Sequence, residues 1–419
     1  MTNTAKFLPL LLIIFSAPSF ATDGYFSHGY GVKSQGLGGV GIAFPQDTLA
    51  AATNPAGLGL VGDRVDFGLT WFKPDREAEI SGNAFPGVNG KYDANDTKHF
   101  FIPEFGYNRQ INPSLTFGVS VYGNGGMNSD YKNGIPLFGS QGRAGIDLIQ
   151  VFAAPTATWK VTPTQTIGVS VNLAYQRFEV KGLQGFSGFS TSSNNLTNEG
   201  HDNSYGAGLH VGWIGEITDT VSIGATYQSR TYMTKFDKYK GLFAEQGDFD
   251  IPSTYGLGIA VKATPKLTIA ADYQRINYNE VDSVGNKSLQ NLQNGLGADN
   301  GPGFGWKDAN VYKLGFSYAY NDDLTLRAGL NHVDQPIRSG ETLFNTLAPA
   351  VVKDHLSLGA TWVLANKSEL SFVYTHAFEN TVNGSNSIPP GFPPSGLGGG
   401  EADLKMYQNS LGIAYGWKL

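Results

Sequence analysis

Residues able to do chemistry are few and scattered along the chain. There are seven histidines and no cysteine. His201 and Ser204 could set a base near a nucleophile, which is what hydrolysis requires, but they stand in a long stretch rich in Gly, Asn and Ser. No His/Asp/Glu spacing fits a metal site, and no glycine-rich loop has a phosphate-cradling pattern. No catalytic residue, cofactor or metal is therefore assigned. What remains is non-covalent. An uncharged turn, Asn54-Pro55-Ala56, lies within "LAAATNPAGLG" at 49–59; proline limits its backbone and asparagine offers local hydrogen bonds. Apolar clusters, Leu183, Phe186 and Phe189, then Leu242 and Phe243, interrupt otherwise polar stretches. Apolar side chains on loops either capture a ligand or pack the loops together.

The elements that must position these residues are strands. Residues 167–175 read IGVSVNLAY, with Ile167, Val169, Val171, Leu173 and Tyr175 on one face and small or polar residues on the other. The pattern recurs at 65–71, 115–121, 207–213, 221–227, 255–261, 267–273, 314–320, 324–330, 356–364, 370–378 and 411–419. Such alternation argues for strands with two unlike faces. The second face carries Gly, Ser, Thr and Ala, with Asp66, Asp272 and Arg327. Less regular strands near 98–109 and 145–160 bring the total to about fourteen.

Connections alternate in length. Short ones such as Ile111-Asn112-Pro113, Thr218-Asp219-Thr220 and Asn321-Asp322-Asp323 read as hairpin turns. Long ones fall near 81–97, 128–144, 182–203, 236–249, 279–305, 334–352 and 381–402. Short turns at one end and long loops at the other are the plan of an outer-membrane β-barrel. A soluble sandwich would carry fewer strands and open edges. Aromatics near strand ends, including Trp71, Tyr227, Tyr273, Trp362 and Tyr415, suit interfacial girdles. The fold expected is all-β: a transmembrane antiparallel barrel of about 14 strands with an N-terminal plug in its lumen.

Export fits this reading. Residues 1–21, "MTNTAKFLPLLLIIFSAPSFA", have one early charge, a short apolar run and a small-x-small end, which is a secretory signal peptide cleaved after Ala21. The run is too short to span a bilayer as a helix. The mature chain would carry net charge −7, the full-chain −6 less Lys6. Mild acidity without basic clusters excludes nucleic acid as a partner. Residues 22–62 do not alternate. They are rich in Gly and small apolar residues, with a short helical possibility at Gln46–Ala52. A barrel of this size encloses more space than its own side chains fill, and this segment could fold back to fill it. The expected organisation is 1–21 leader, 22–62 luminal plug and 63–419 barrel.

The chain resembles the FadL-type long-chain fatty-acid transporters of Gram-negative outer membranes. The likeness is strongest in Gly36–Gly62 around Asn54-Pro55-Ala56, in "SVYGNGGMNSDY" at 120–131, and in "GWKDANVYKLGFSYAYNDDLTLRAG" at 305–329. It implies that 22–62 is a hatch containing the Asn-Pro-Ala turn. It implies capture of a hydrophobic molecule, in the first reading a long-chain fatty acid and in the alternative an aromatic hydrocarbon, between the third and fourth long loops at Leu183, Phe186, Phe189, Leu242 and Phe243. It also implies lateral release into the membrane through a kinked third strand at Gly123, Asn124, Gly125 and Gly126. Glycine there suits a strand that bends and drops ladder bonds. The fatty-acid branch grips a carboxylate with two basic residues. Arg177 and Lys181 stand nearest the first position, Gly301-Pro302-Gly303 occupies the second, and Lys287 and Lys307 lie farther off. The partners implied are a hydrophobic small molecule, outer-membrane lipid and lipopolysaccharide, with the chain as a monomer. A general porin remains the rival reading; it would line its constriction with opposed charges, whereas the small-residue face here is mostly uncharged.

Overall fold

Period-two alternation becomes long strands whose outer faces are apolar and whose inner faces are small or polar. The computed structural model describes residues 23–419 apart from 392, 394 and 395; the leader expected at 1–21 lies outside the described residues. The strands are β1 (Arg64–Ser81), β2 (Phe100–Asn112), β3 (Leu115–Tyr131), β4 (Ala144–Thr162), β5 (Gln165–Lys181), β6 (Asp202–Thr218), β7 (Val221–Gln228), β8 (Thr254–Lys262), β9 (Leu267–Ile276), β10 (Ala309–Ala319), β11 (Leu324–Val333), β12 (Asp354–Val363), β13 (Glu369–Val382) and β14 (Glu401–Lys418). Each pairs antiparallel with the next, and β1 pairs with β14 from Arg64↔Lys418 to Ser81↔Glu401. The sheet therefore closes on itself and satisfies its own backbone, the condition for crossing hydrocarbon with strands. Two short ribbons, Gly90–Asp93 against β1 and Tyr232–Met233 against β6, extend it at the long-loop end.

On β5, Ile167, Val169, Val171 and Leu173 are exposed while Thr166, Ser170 and Asn172 are buried. Ile167 to Tyr175 covers about 20 Å of membrane normal at the usual strand rise and tilt. The short turns are set by asparagine. Asn112 accepts from the amides of Ser114 (3.0 Å) and Leu115 (2.9 Å), and Asn321 from those of Asp323 (3.0 Å) and Leu324 (2.7 Å). Several strands outrun their alternation. β1 continues to Ser81, and past Trp71 its outer face carries Lys73, Asp75, Glu77 and Glu79. The apolar pattern stops where lipid stops, whereas the hydrogen-bond ladder does not.

Residues 23–62 lie inside the barrel and hang from its wall. Glu104 accepts the amides of Gly31 and Val32, both at 3.0 Å. Asp272 accepts those of Gly41 (2.7 Å) and Ile42 (3.0 Å), and Asp66 that of Thr48 (3.1 Å). Leu37, Val40, Leu49, Ala51 and Leu58 are buried between this segment and the wall. The helical stretch expected at Gln46–Ala52 is a 3-10 turn over Thr48–Ala52, started by Asp47 accepting the Leu49 amide at 3.0 Å. The wall's small residues make the fit possible. A Cβ on Gly212 would sit 1.8 Å from Asn54 Oδ1, and one on Gly168 would sit 2.3 Å from the Ala56 nitrogen.

Candidate transport pathway

The long loops enclose an apolar groove. Leu183, Leu242 and Phe243 line a cavity of about 40 Å³ together with Phe178, Phe304 and Phe344. Its only polar lining residue among those described is Ser283. Phe186 and Phe189 stand behind this wall: Phe186 is buried against Phe344 (5.1 Å between centroids) and Phe138 (5.5 Å), and Phe189 packs on Phe186 at 6.3 Å. The groove continues inward as a column of rings. Phe243 contacts Phe249 at 4.8 Å, Phe249 contacts Tyr25 at 6.1 Å, and Tyr25 contacts Tyr278 at 5.1 Å and Trp306 at 5.8 Å. Beside Phe249, burial and the neighbouring Asp250 push Asp248 up to about 6, with Arg230 opposing the shift.

Tyr25 and Phe26 close the column. The Tyr278 hydroxyl donates to the Asp23 carbonyl and accepts the Tyr25 amide at 3.2 Å. The expectations from single residues missed Phe249, Tyr278 and Trp306, because nothing local in the sequence says which loop aromatics meet. Trp306 did sit in a stretch singled out for its family likeness.

Below the column lies the third strand. Its pairing with β4 passes from Gly123↔Val151 to Gly125↔Gln150, leaving Asn124 as a bulge. Its pairing with β2 ends at Phe105↔Val121, so Phe100–Glu104 and the facing part of β3 leave a window in the wall. The bulged backbone is not left bare. Ser27 donates its amide to the Asn124 carbonyl (3.0 Å), and the Gly126 amide donates to the Tyr25 carbonyl (2.9 Å). A Cβ on Gly125 would lie 2.0 Å from the Tyr25 oxygen. A small cavity of about 30 Å³ joins Ser27 and Tyr30 to Phe72, Ile102 and Gly123 at this window.

Arg177 and Lys181 do not reach the groove. Both share the outward parity of Ile167 to Tyr175. Arg177 pairs with Asp147 at 3.3 Å and Lys181 with Glu179 at 3.1 Å, in a polar cleft of about 430 Å³ on the barrel's outer rim. Lys287 and Lys307 are exposed. By strand parity Arg177 and Lys181, the residues nearest the first clamp position, stand outside the groove, and the second position is filled by Pro302 and Gly303 in the groove wall.

Asn54 is wholly buried at the foot of the luminal segment. It donates to the carbonyls of Ile42 (2.8 Å), Trp213 (3.1 Å) and Ala225 (3.4 Å), and accepts the Ala56 amide at 3.1 Å. The turn is therefore pinned to β6 and β7. Asn54→Ala should cost that pin about 2–3 kcal/mol. Amide exchange across 56–60 should accelerate about a hundredfold while the barrel's melting midpoint holds. Unchanged exchange would reject the pin.

Residues 19–389 match the family described as outer membrane protein transport protein (OMPP1/FadL/TodX). The chain belongs to this family. It is thereby an outer-membrane barrel of a transporter family. Solved structures agree in fold. The toluene transporter TodX of P. putida is 18% identical with a TM-score of 0.70, over 94% of this chain and 99% of that one. A FadL homologue of Pseudomonas aeruginosa is 17% identical with a TM-score of 0.70, over the same 94% and 99%. The toluene transporter TbuX of Ralstonia pickettii is 18% identical with a TM-score of 0.65, again over 94% and 99%. A curated relative, an uncharacterized protein from the phosphoenolpyruvate carboxykinase gene 5' region of Chlorobium limicola, is 37% identical over 76 residues; that match spans 17% of this chain and 37% of the relative.

Proposed function

We propose that this FadL-family barrel takes up uncharged hydrophobic molecules, with aromatic hydrocarbons preferred over long-chain fatty acids. The observation that carries this is the groove's lining, apolar apart from one serine, which runs into a column of aromatic rings. A carboxylate entering such a site would lose its hydration without gaining a cation. Arg177 and Lys181, the candidates from the sequence, are occupied by acids outside the barrel, Arg230 beside the column pairs with Asp250 at 2.6 Å, and no cationic side chain lines the groove among the described residues.

In this reading residues 1–21 are a removed leader, 22–62 act as a hatch, and 63–419 form the conduit. The substrate lodges at Leu183, Leu242 and Phe243, passes the rings when Tyr25 and Phe26 withdraw, and leaves sideways at Gly123–Gly126. Lipid and lipopolysaccharide cover the outer face of a single barrel. Release into lipid suits the cargo, since apolar surface gains about 25 cal/mol per Å² on leaving water. The chain's chemistry is transport, not catalysis.

Ligand binding to purified protein tests the substrate class. Phe243→Ala should weaken binding of a monoaromatic hydrocarbon about tenfold, by removing a buried ring from the groove. Arg177→Ala should leave it unchanged. Tight long-chain fatty-acid binding that depends on Arg177 would overturn the proposal.

A further inference from the structure

The window between β2 and β3 has a top, tied to β3 at its far end by the Thr97 hydroxyl donating to Asp130 (2.7 Å) and by Arg143 between Asp96 and Asp130, and reached from β1 by one buried side chain. The segment Ala94–Thr97 leaves the Gly90–Asp93 ribbon and crosses above the window. On one side the Ala94 amide donates to the Arg76 carbonyl (3.2 Å). The Asn95 side chain also bonds the Arg76 backbone, accepting its amide and donating to its carbonyl, both at 3.0 Å. On the other side the Asp130 amide donates to the Ala94 carbonyl (3.0 Å) and the Asp96 amide to the Asp130 carbonyl (3.2 Å). Asn95 and Asp130 form an isolated parallel bridge. This short segment thus joins β1 to β3 where β2 is missing.

Arg76 lies on the inward parity of β1 and is 1% exposed. Its guanidinium reaches under the crossing segment to the third strand. It donates to the carbonyl and the side-chain oxygen of Asn128 (the latter at 3.0 Å), to the Thr97 carbonyl (2.6 Å) and to Asn95 Oδ1 (3.4 Å). All of these acceptors are uncharged. Beneath it the Phe100 ring lies 5.9 Å from the guanidinium carbon, and Phe72, Phe100 and Ile102 form a separate apolar cluster beside the window. Buried cations are usually held by a carboxylate. Here the planar fork instead gathers oxygens from three separate places, which a lysine ammonium cannot do with the same geometry.

We propose that Arg76 is a positioning residue that holds the Ala94–Thr97 crossing against β3 and so fixes the upper limit of the lateral exit. This rests on the sideways route proposed above. Without the guanidinium, the Thr97 and Asn128 oxygens lose their donor next to an apolar opening. The crossing lifts, the window runs up into loop solvent, and an apolar molecule that has passed the rings is no longer confined to lipid. Uptake falls because cargo is lost to loop solvent.

The test uses the full barrel in proteoliposomes. Arg76→Ala should lower uptake of a monoaromatic hydrocarbon per folded barrel about tenfold. Arg76→Lys should behave like alanine, because charge alone is not the requirement. A merely destabilising change would reduce the folded fraction without lowering uptake per folded barrel. The chain has no cysteine, so a disulfide between Asn95→Cys and Asp130→Cys, which are bridge partners, can tie the crossing to β3; the same pair with Arg76 intact is the control, because it removes Asn95's bonds to the Arg76 backbone and Asp130's to Thr97 and Arg143. In the Arg76→Ala background, oxidised protein should recover uptake, and reduction should reverse the recovery. The oxidised variant also serves if Arg76→Ala alone does not fold. Wild-type uptake per folded barrel in Arg76→Ala, or no recovery on oxidation, would overturn the proposal. If Arg76→Ala is silent while valines at Gly125 and Gly126 still block uptake, the exit stands and the latch falls. If both are silent, the lateral exit itself is wrong.

Discussion

Removing residues 23–60 should leave a folded barrel that conducts ions at least about tenfold better than the intact protein. The ladder that closes the wall runs from strand to strand, with β1 on β14, and does not pass through the luminal segment. Closure satisfies the backbone in hydrocarbon whatever fills the centre. The luminal segment contributes instead the apolar surface of Leu37, Val40, Leu49 and Leu58, and the amides received by Asp66, Glu104 and Asp272. Once the segment is gone those carboxylates face an open lumen, and water replaces the amides. Thermal stability should therefore drop while heat-modifiable migration on gels, the mark of a closed barrel, persists. Planar-bilayer conductance decides the matter: a deletion variant as silent as the parent would show that 23–60 does not block the lumen.

Much of this architecture was legible because lipid and lumen impose opposite demands on alternate residues. The strand at 167–175 could be read directly, and so could the turns at Asn112 and Asn321, whose side chains cap the next amides. The upper halves of strands were not legible. Lys73 to Glu79 lose the apolar contrast once β1 leaves the bilayer. The same alternation held information left unused. Arg177 shares parity with Val169 and Leu173, which already puts it outside, and Arg76 shares parity with Thr70 and Phe72, which puts it inside. Leu183, Leu242 and Phe243 stood out as apolar residues in polar loops. Their continuation through Phe249, Tyr25 and Tyr278 joins residues more than two hundred positions apart, and nothing in one chain's local pattern encodes such a meeting. The glycines at 123, 125 and 126 suggested a bend. That the bend would be held by the backbone of Tyr25 and Ser27 had no signal at all.

That last contact sharpens what valine should do at the bend. In the double variant Gly125→Val, Gly126→Val, a Cβ at position 125 would come within 2.0 Å of the Tyr25 carbonyl and 3.1 Å of the Phe26 Cα. Both neighbours are backbone, so the luminal strand must leave. The Gly126 amide and the Asn124 carbonyl then lose their partners. In a setting without water they must find others, and the edge of β2 from Phe100 to Glu104, paired with β1 but not with β3, faces them across the window. β-branched residues favour that pairing, so the strand should straighten and close on β2. Uptake of hydrophobic substrate should fall at least about tenfold, and the barrel should melt no lower than the parent. Ligand binding to the purified variant should persist, because Leu183, Leu242 and Phe243 lie in loops that the substitution does not touch. Transport at the parental rate would exclude the sideways route and favour passage downward past the luminal segment. Loss of binding together with transport would instead mean that Tyr25 and Phe26, once displaced, fall into the ring column and occupy the substrate's own place.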